Sequence, residues 1–245
     1  MIKPGLDMPF LDHLEEFRWR LIKSIIAILI GSFITYGIGD EIIRLLVYPT
    51  NLLNINMNLQ VLKVTSMFSI KLSVALFGGI IIGFPVILFQ CWRFISPAFE
   101  GEFGLSVFIT ILFSSIFFIF GMLFAYFLII PFSLTFFTSL TSNAIPIDYN
   151  FTLESYLLYV LWLLFGSGLL FQLPVLSVFL TRIGILTPAF LRHYRKISIV
   201  ILLVLSAILT PPDPLSQIII VVPLVLLYEF SILISKIFKP KDTFK

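Results

Sequence analysis

Two carboxylates, Glu100 and Glu102, lie beside a Ser96-Pro97 turn in the stretch Gln90-Cys-Trp-Arg-Phe-Ile-Ser-Pro-Ala-Phe-Glu-Gly-Glu-Phe-Gly104, between two long apolar runs. An acidic loop stiffened by proline, on a scaffold otherwise made of hydrocarbon-facing residues, is a candidate docking site for something basic. A third acid of interest, Glu16, sits in the segment Phe10-Leu-Asp-His-Leu-Glu-Glu-Phe-Arg-Trp-Arg-Leu21, two residues before Arg18. The plainer reading of the same acids is solvated surface charge, or pairing with Arg18, Arg20 and Arg93; charge runs at a surface are usually that.

Two further polar side chains fall inside apolar runs. Gln172 precedes Pro174, whose missing N–H leaves a carbonyl of the preceding turn without its donor. Gln172 can satisfy backbone or a neighbouring helix, or form a polar notch that contacts a partner. Glu229 is ionisable within the last apolar run and is a functional candidate on cost alone; the bland alternative is that it reaches toward Lys236 or the membrane interface. The single cysteine, Cys91, excludes an intramolecular disulfide. His13 and His193 lie far apart, so no metal-ligand cluster is visible, and no cofactor is expected.

The elements that must carry these residues are set by composition. With 59% hydrophobic and only 12% charged residues, the chain falls far outside the soluble class, where about a quarter are charged. A span needs about 20 apolar residues, and the sequence predicts an all-α membrane protein with six, at about 21–39, 70–90, 105–130, 153–180, 197–209 and 217–235, in one polytopic domain. Met1 to Phe10 lack a cleavable-signal pattern, so the first run is expected to be retained. Apolar residues at 10, 11, 14, 17 and 21 predict an amphipathic surface helix leading into span one. Region 40–69, with Tyr48-Pro49 and an Asn-rich turn, is too polar to span and too apolar for a free linker, and is expected to form a structured far-side cap. Region 132–152 is expected to be a second far-side loop. Ala75, Gly79 and Gly83 give span two a small-residue face for close helix packing, and Pro85 is expected to kink it. Thr210-Pro-Pro-Asp-Pro214 predicts a tight hairpin. Spans five and six are expected to be short, which would thin the bilayer locally. Both termini fall on the cytoplasmic side: of the 16 Lys and Arg, all but Arg44, Lys63 and Lys71 then lie there, a strong positive-inside bias.

His13-Leu-Glu-Glu-Phe-Arg-Trp-Arg-Leu21, Pro85-Val-Ile-Leu-Phe-Gln-Cys-Trp-Arg-Phe-Ile-Ser-Pro97, Gly121-Met-Leu-Phe-Ala-Tyr-Phe127, Phe171-Gln-Leu-Pro174 and Leu209-Thr-Pro-Pro-Asp-Pro-Leu-Ser-Gln217, in this order, resemble the TatC family, the multispanning receptor subunit of the twin-arginine protein translocase. The resemblance implies a receptor that binds twin-arginine signal peptides at its cytoplasmic face. Folded cargo then crosses with single-span TatA/TatB-type partners, driven by the proton-motive force. It implies signal-peptide contacts at Glu16, Arg18, Pro97, Glu100 and Glu102; the family's loop glutamate falls here on Phe103, so Glu102 or Glu100 takes its place. In the family a polar residue, often glutamate, precedes this Leu-Pro pair, and here it is Gln172; Asp213, with Pro211, falls on the family's far-side Pro-Pro-Asp motif. Gln172 and Glu229 are the expected intramembrane partner contacts, and Pro49 joins Pro211 and Asp213 in the expected far-side structural motif. Arginine forks match carboxylates in bidentate pairs. The expected setting is a homo-oligomer within a larger complex, in a bacterial inner membrane or a thylakoid membrane, with no nucleic acid. A small secondary transporter would want internal repeats and midplane ionisable groups, which are thin here. An intramembrane enzyme would want a nucleophile with its base or a metal set, and no span contains histidine.

Overall fold

The computed structural model describes residues 10–52, 57–95, 105–139, 149–182, 184–209 and 214–237. Ten α-helices and two short strands make up the described chain, which divides into two compact units: residues 1–42 with 68–116, and residues 43–67 with 117–245.

In the first unit, helix α1 (Phe10–Gly37) and helix α3 (Ser66–Ile95) supply the packing. α1 runs without a break from the polar amino-terminal segment into the apolar span, so the expected surface helix and span one are one element. Its contact with α3 is a backbone approach. A Cβ on Gly31 would stand 2.9 Å from the Gly79 carbonyl oxygen, and one on Gly79 would stand 2.5 Å from the Ile28 carbonyl oxygen and collide with the Ser32 side chain. Small residues do this work in lipid because no hydrophobic force drives helices together there and van der Waals fit must supply the attraction. The Ala75–Gly79–Gly83 face is therefore internal packing, as its spacing suggests, and Ala75 is buried. Gly31, its counterpart on α1, was not singled out by the sequence pattern. Helix α2 (Gly39–Leu52) follows, and its Asp40 pairs with Lys71 of α3 at 3.0 Å.

The second unit begins within α2 and is built mainly on later helices. Strand β1 (Met57–Gln60) pairs in parallel with β2 (Tyr149–Thr152), Met57 opposite Tyr149 and Gln60 opposite Thr152. Regions 40–69 and 132–152, expected as a cap and a separate loop, thus share a sheet. Helix α4 (Leu105–Phe124) passes through a π-helical turn (Ala125–Ile129) into α5 (Ile130–Ser139). The third span consequently does not end at Pro131. The Ile130 N–H reaches back five residues to the Ala125 carbonyl; this wider turn accommodates a proline that would otherwise break the ladder.

Span four is two helices, α6 (Leu153–Leu170) and α7 (Leu173–Arg182). Pro174 sits in the first turn of α7, where its missing N–H has no helical partner to lose. Within the expected basic loop 181–196 lies a short helix, α8 (Pro188–His193), capped by the Thr187 hydroxyl, which accepts from the Phe190 N–H at 3.1 Å. Helices α9 (Arg195–Leu209) and α10 (Pro214–Ile237) complete the unit. α9 is 15 residues long, a rise of about 22 Å, and is short as expected. α10 is not: its 24 residues carry Pro223 internally, and an in-helix proline shortens no helix by itself. Among the described residues, five helical segments are long and apolar enough to cross a membrane, Asp12–Gly37, Ser66–Phe94, Phe108–Ser139, Leu153–Thr181 and Gln217–Lys236.

Replacing Gly79 by Val should separate α1 from α3 and destabilise the protein by about 1–3 kcal/mol, the usual overpacking cost. A Cβ at Gly37 meets nothing within 4 Å, so Gly37→Ala should be near neutral. Thermal unfolding of both variants in the same detergent checks this; equal midpoints would refute the close-approach account.

Candidate functional site

Glu16 occupies the second turn of α1, and Arg20, one turn on, closes over it. The Arg20 Nε donates to Glu16 Oε1 at 3.0 Å, and a second guanidinium N–H reaches the same oxygen. Spacing of four residues puts the pair on one helical face. The other oxygen, Oε2, is buried and has no hydrogen-bond partner among the described residues; the His13 Nδ1 stands 3.8 Å away. A carboxylate has acceptor sites on both oxygens, so this one is held in place through Oε1 while Oε2 retains capacity for a donor.

Aromatic stacking fixes what surrounds it. The Phe94 ring, in the last turn of α3, stacks on His13 at 4.4 Å and tilts against Phe17 at 5.4 Å. The carboxyl end of α3, which residues 96–104 follow in sequence, is thereby pinned beside the first turns of α1. Sequence reasoning paired the two segments through their acids and overlooked Phe94, His13 and Phe17; the i, i+4 spacing of His13 and Phe17 was the available signal. Arg18 lies elsewhere: it is 3.8 Å from Glu15, largely exposed, with its guanidinium 5.6 Å from the centre of the Trp19 ring. Of the basic residues weighed as partners, Arg20 is the one that engages Glu16. Pro97, Glu100 and Glu102 lie outside the described residues, as do Pro211 and Asp213.

Pro49 lies inside α2, and a proline at 49 leaves the Leu45 carbonyl without its helical donor. The Tyr126 hydroxyl donates to that oxygen at 2.7 Å, and the Tyr156 hydroxyl donates to the adjacent Leu46 carbonyl at 2.9 Å. Tyr126 belongs to the π-helical turn and Tyr156 to the first turn of α6, so one proline is secured from two elements. Nearby in sequence, the Ser66 hydroxyl donates to Glu154 Oε2 at 2.6 Å. Neither tyrosine was picked out from the sequence; an orphan carbonyl is predictable from Pro49, but its donor is not.

Gln172 sits in the break between α6 and α7. Its Nε2 lies 3.5 Å from the Gly168 carbonyl oxygen, and the Phe171 and Gln172 N–H groups reach Ser167 and Leu169 at 3.0 Å. The backbone-satisfying role is thus present, and the side chain remains partly exposed. Glu229 does not turn to Lys236. Its Oε2 accepts from Arg195 at 2.7 Å, tying α10 to the start of α9 with both side chains well exposed. Among the described residues no three His, Cys, Asp or Glu side chains converge as a metal site.

These features define a polytopic helical membrane protein with a preorganised carboxylate at one end of its first span and no recognisable catalytic or metal centre among the described residues. The comparisons with known proteins give the family. Residues 12–223 match the family model for the Sec-independent protein translocase protein TatC. The TatC of Aquifex aeolicus is 38% identical over 94% of this chain and 95% of its own length, and that of Carboxydothermus hydrogenoformans is 36% identical over 96% of both. A crystal structure of a twin-arginine translocase receptor, TatC, aligns with a TM-score of 0.81 at 36% identity, covering 92% of this chain and 99% of that one. The chain belongs to the TatC family.

The tyrosine contacts predict that Tyr126→Phe and Tyr156→Phe each cost about 0.5–1.5 kcal/mol, and that Pro49→Ala, which restores a donor for Leu45, makes Tyr126→Phe less costly. A double-mutant cycle on Pro49 and Tyr126 reads that coupling directly; strict additivity would refute it. For the exposed Arg195–Glu229 pair the same cycle should return at most about 1 kcal/mol.

Proposed function

We propose that this chain is the receptor and core subunit of a twin-arginine translocase, binding twin-arginine signal peptides at the cytoplasmic face of a bacterial inner membrane. The observation that carries the reading is Glu16: a carboxylate fixed through one oxygen by Arg20, with a buried second oxygen open to a donor and an aromatic wall of His13, Phe17 and Phe94 beside it. A guanidinium presents planar N–H donors that an ammonium cannot reproduce. Shielded from water, each such charge-assisted bond contributes about 1.5–3 kcal/mol. In this reading Glu16 takes one arginine, and Glu100 or Glu102 takes the other. Arg18, pointing to Glu15, contributes to the surface charge around the site. Arg20 is added to the set as the residue that positions Glu16.

The topology that fits this role has six spans, with α9 as the short fifth and both termini on the cytoplasmic side. The motif of Pro49, Pro211 and Asp213 is assigned to the far side in this reading. Gln172 and Glu229 are the places for contact with single-span TatA/TatB-type subunits within a larger homo-oligomeric complex. Transport of folded cargo draws on the proton-motive force.

Photocrosslinking from a probe beside the twin arginines of a signal peptide, scanned over residues 10–20 and 93–104, tests the site. Crosslinks should concentrate in both segments and vanish when Arg-Arg becomes Lys-Lys. Glu16→Ala, and separately Glu100→Ala with Glu102→Ala, should abolish binding while membrane insertion stays normal. Arg20→Gln should weaken binding by loosening Glu16. Unchanged binding in all of these variants would sink the assignment.

A further inference from the structure

We propose that the outward face of α8 and the beginning of α9 form a binding surface for the headgroups of anionic phospholipids. α8 is held by its inner side: Leu191 is buried, and its carbonyl accepts from the Tyr228 hydroxyl of α10 at 2.6 Å, which in turn accepts from the Ser198 hydroxyl at 3.0 Å. This leaves Phe190, Arg192, His193, Tyr194 and Lys196 facing out. Phe190 and Tyr194 lie against one another with ring centres 4.4 Å apart. Arg195 is cancelled by Glu229 at 2.7 Å, whereas Arg192 and Lys196 make no ion pair among the described residues, so the face carries two uncompensated positive charges.

Continuity with the membrane-facing surface names the occupant. Along α9, Ile197, Val200, Ile201, Val204 and Ile208 are all exposed, at the three- and four-residue steps of one helical stripe. In a membrane protein an exposed stripe of β-branched aliphatic residues is turned to lipid. Tyr194, at the junction of α8 and α9 and three residues before Ile197, and Phe190, four residues earlier on α8, stand at the end of that stripe, which fits an aromatic pair where the hydrocarbon ends and headgroups begin. Arg192 and Lys196 flank the pair at headgroup depth. A span of only 15 residues depends on flanking groups that can reach the interface, and the fixed α8 supplies them. The proposal does not rest on the receptor reading.

A benzophenone amino acid in place of Phe190, with the protein in phosphatidylcholine vesicles containing a minor fraction of phosphatidylglycerol, reads the contact directly. Lipid adducts should be enriched in phosphatidylglycerol over the vesicle composition, on the order of fivefold for each cation near the surface. The enrichment should fall with added salt, disappear in R192Q/K196Q and persist in R192K/K196R, which keeps the charge and reports that α8 is still docked. Adducts that match the vesicle composition, enrichment that survives R192Q/K196Q, or adducts to protein in place of lipid would overturn the proposal.

Discussion

In a hydrocarbon layer every backbone carbonyl needs a donor from the protein, because no water is there to supply one. Proline takes such donors away, and this chain places prolines within or beside most of its long helices. Much of what distinguishes the structure answers that shortage. At Pro49 the freed carbonyl receives a tyrosine hydroxyl. At Pro131 the ladder widens into a π-helical turn. At Pro174 the helix stops and restarts, with the proline in the opening turn where it removes nothing. The answers are connected, since the π-helical turn that carries the chain to Pro131 also contains Tyr126, the donor for Leu45.

The amino-terminal carboxylate obeys a different rule. A charge at the edge of a bilayer is cheap to keep only if it is partly paired, yet a fully paired acid has nothing left for a ligand. Arg20 engages one oxygen of Glu16 and leaves the other. The His13 ring stacks on Phe94, and its Nδ1 stands 3.8 Å from Oε2, beyond hydrogen-bond reach. Membership of the TatC family and this half-paired carboxylate are the two observations on which the proposed function rests.

Helices were readable in the sequence wherever one physical signal dominated. Long apolar runs announced themselves, and the Ala75–Gly79–Gly83 spacing marked a packing face because small residues have few other uses on an apolar helix. Boundaries near proline were misread: the third run continues past Pro131, and the fourth breaks ahead of Pro174, because the outcome depends on whether the helix can widen or has just begun. Long-range partners were invisible. Nothing in the order of residues couples Pro49 to Tyr126 and Tyr156, Glu229 to Arg195, or Phe94 to His13, since each pairing is a property of how helices lie together. Glu16 was legible as an acid from the sequence alone, and its engagement by Arg20 through one oxygen was not.

The parallel pairing of Met57–Gln60 with Tyr149–Thr152 has a consequence for biosynthesis. The chain leaves the ribosome in order, so the first strand is made some ninety residues before its partner. Until the second arrives, the first has no ladder, and the Leu46 carbonyl lacks Tyr156, which follows that strand closely in sequence. This seam closes only after the helices between the two strands have been threaded into the bilayer. Early products of synthesis therefore carry a strand edge waiting for its mate, and emergence of the residues that open the fourth apolar run, rather than insertion of the first, is the event that supplies it.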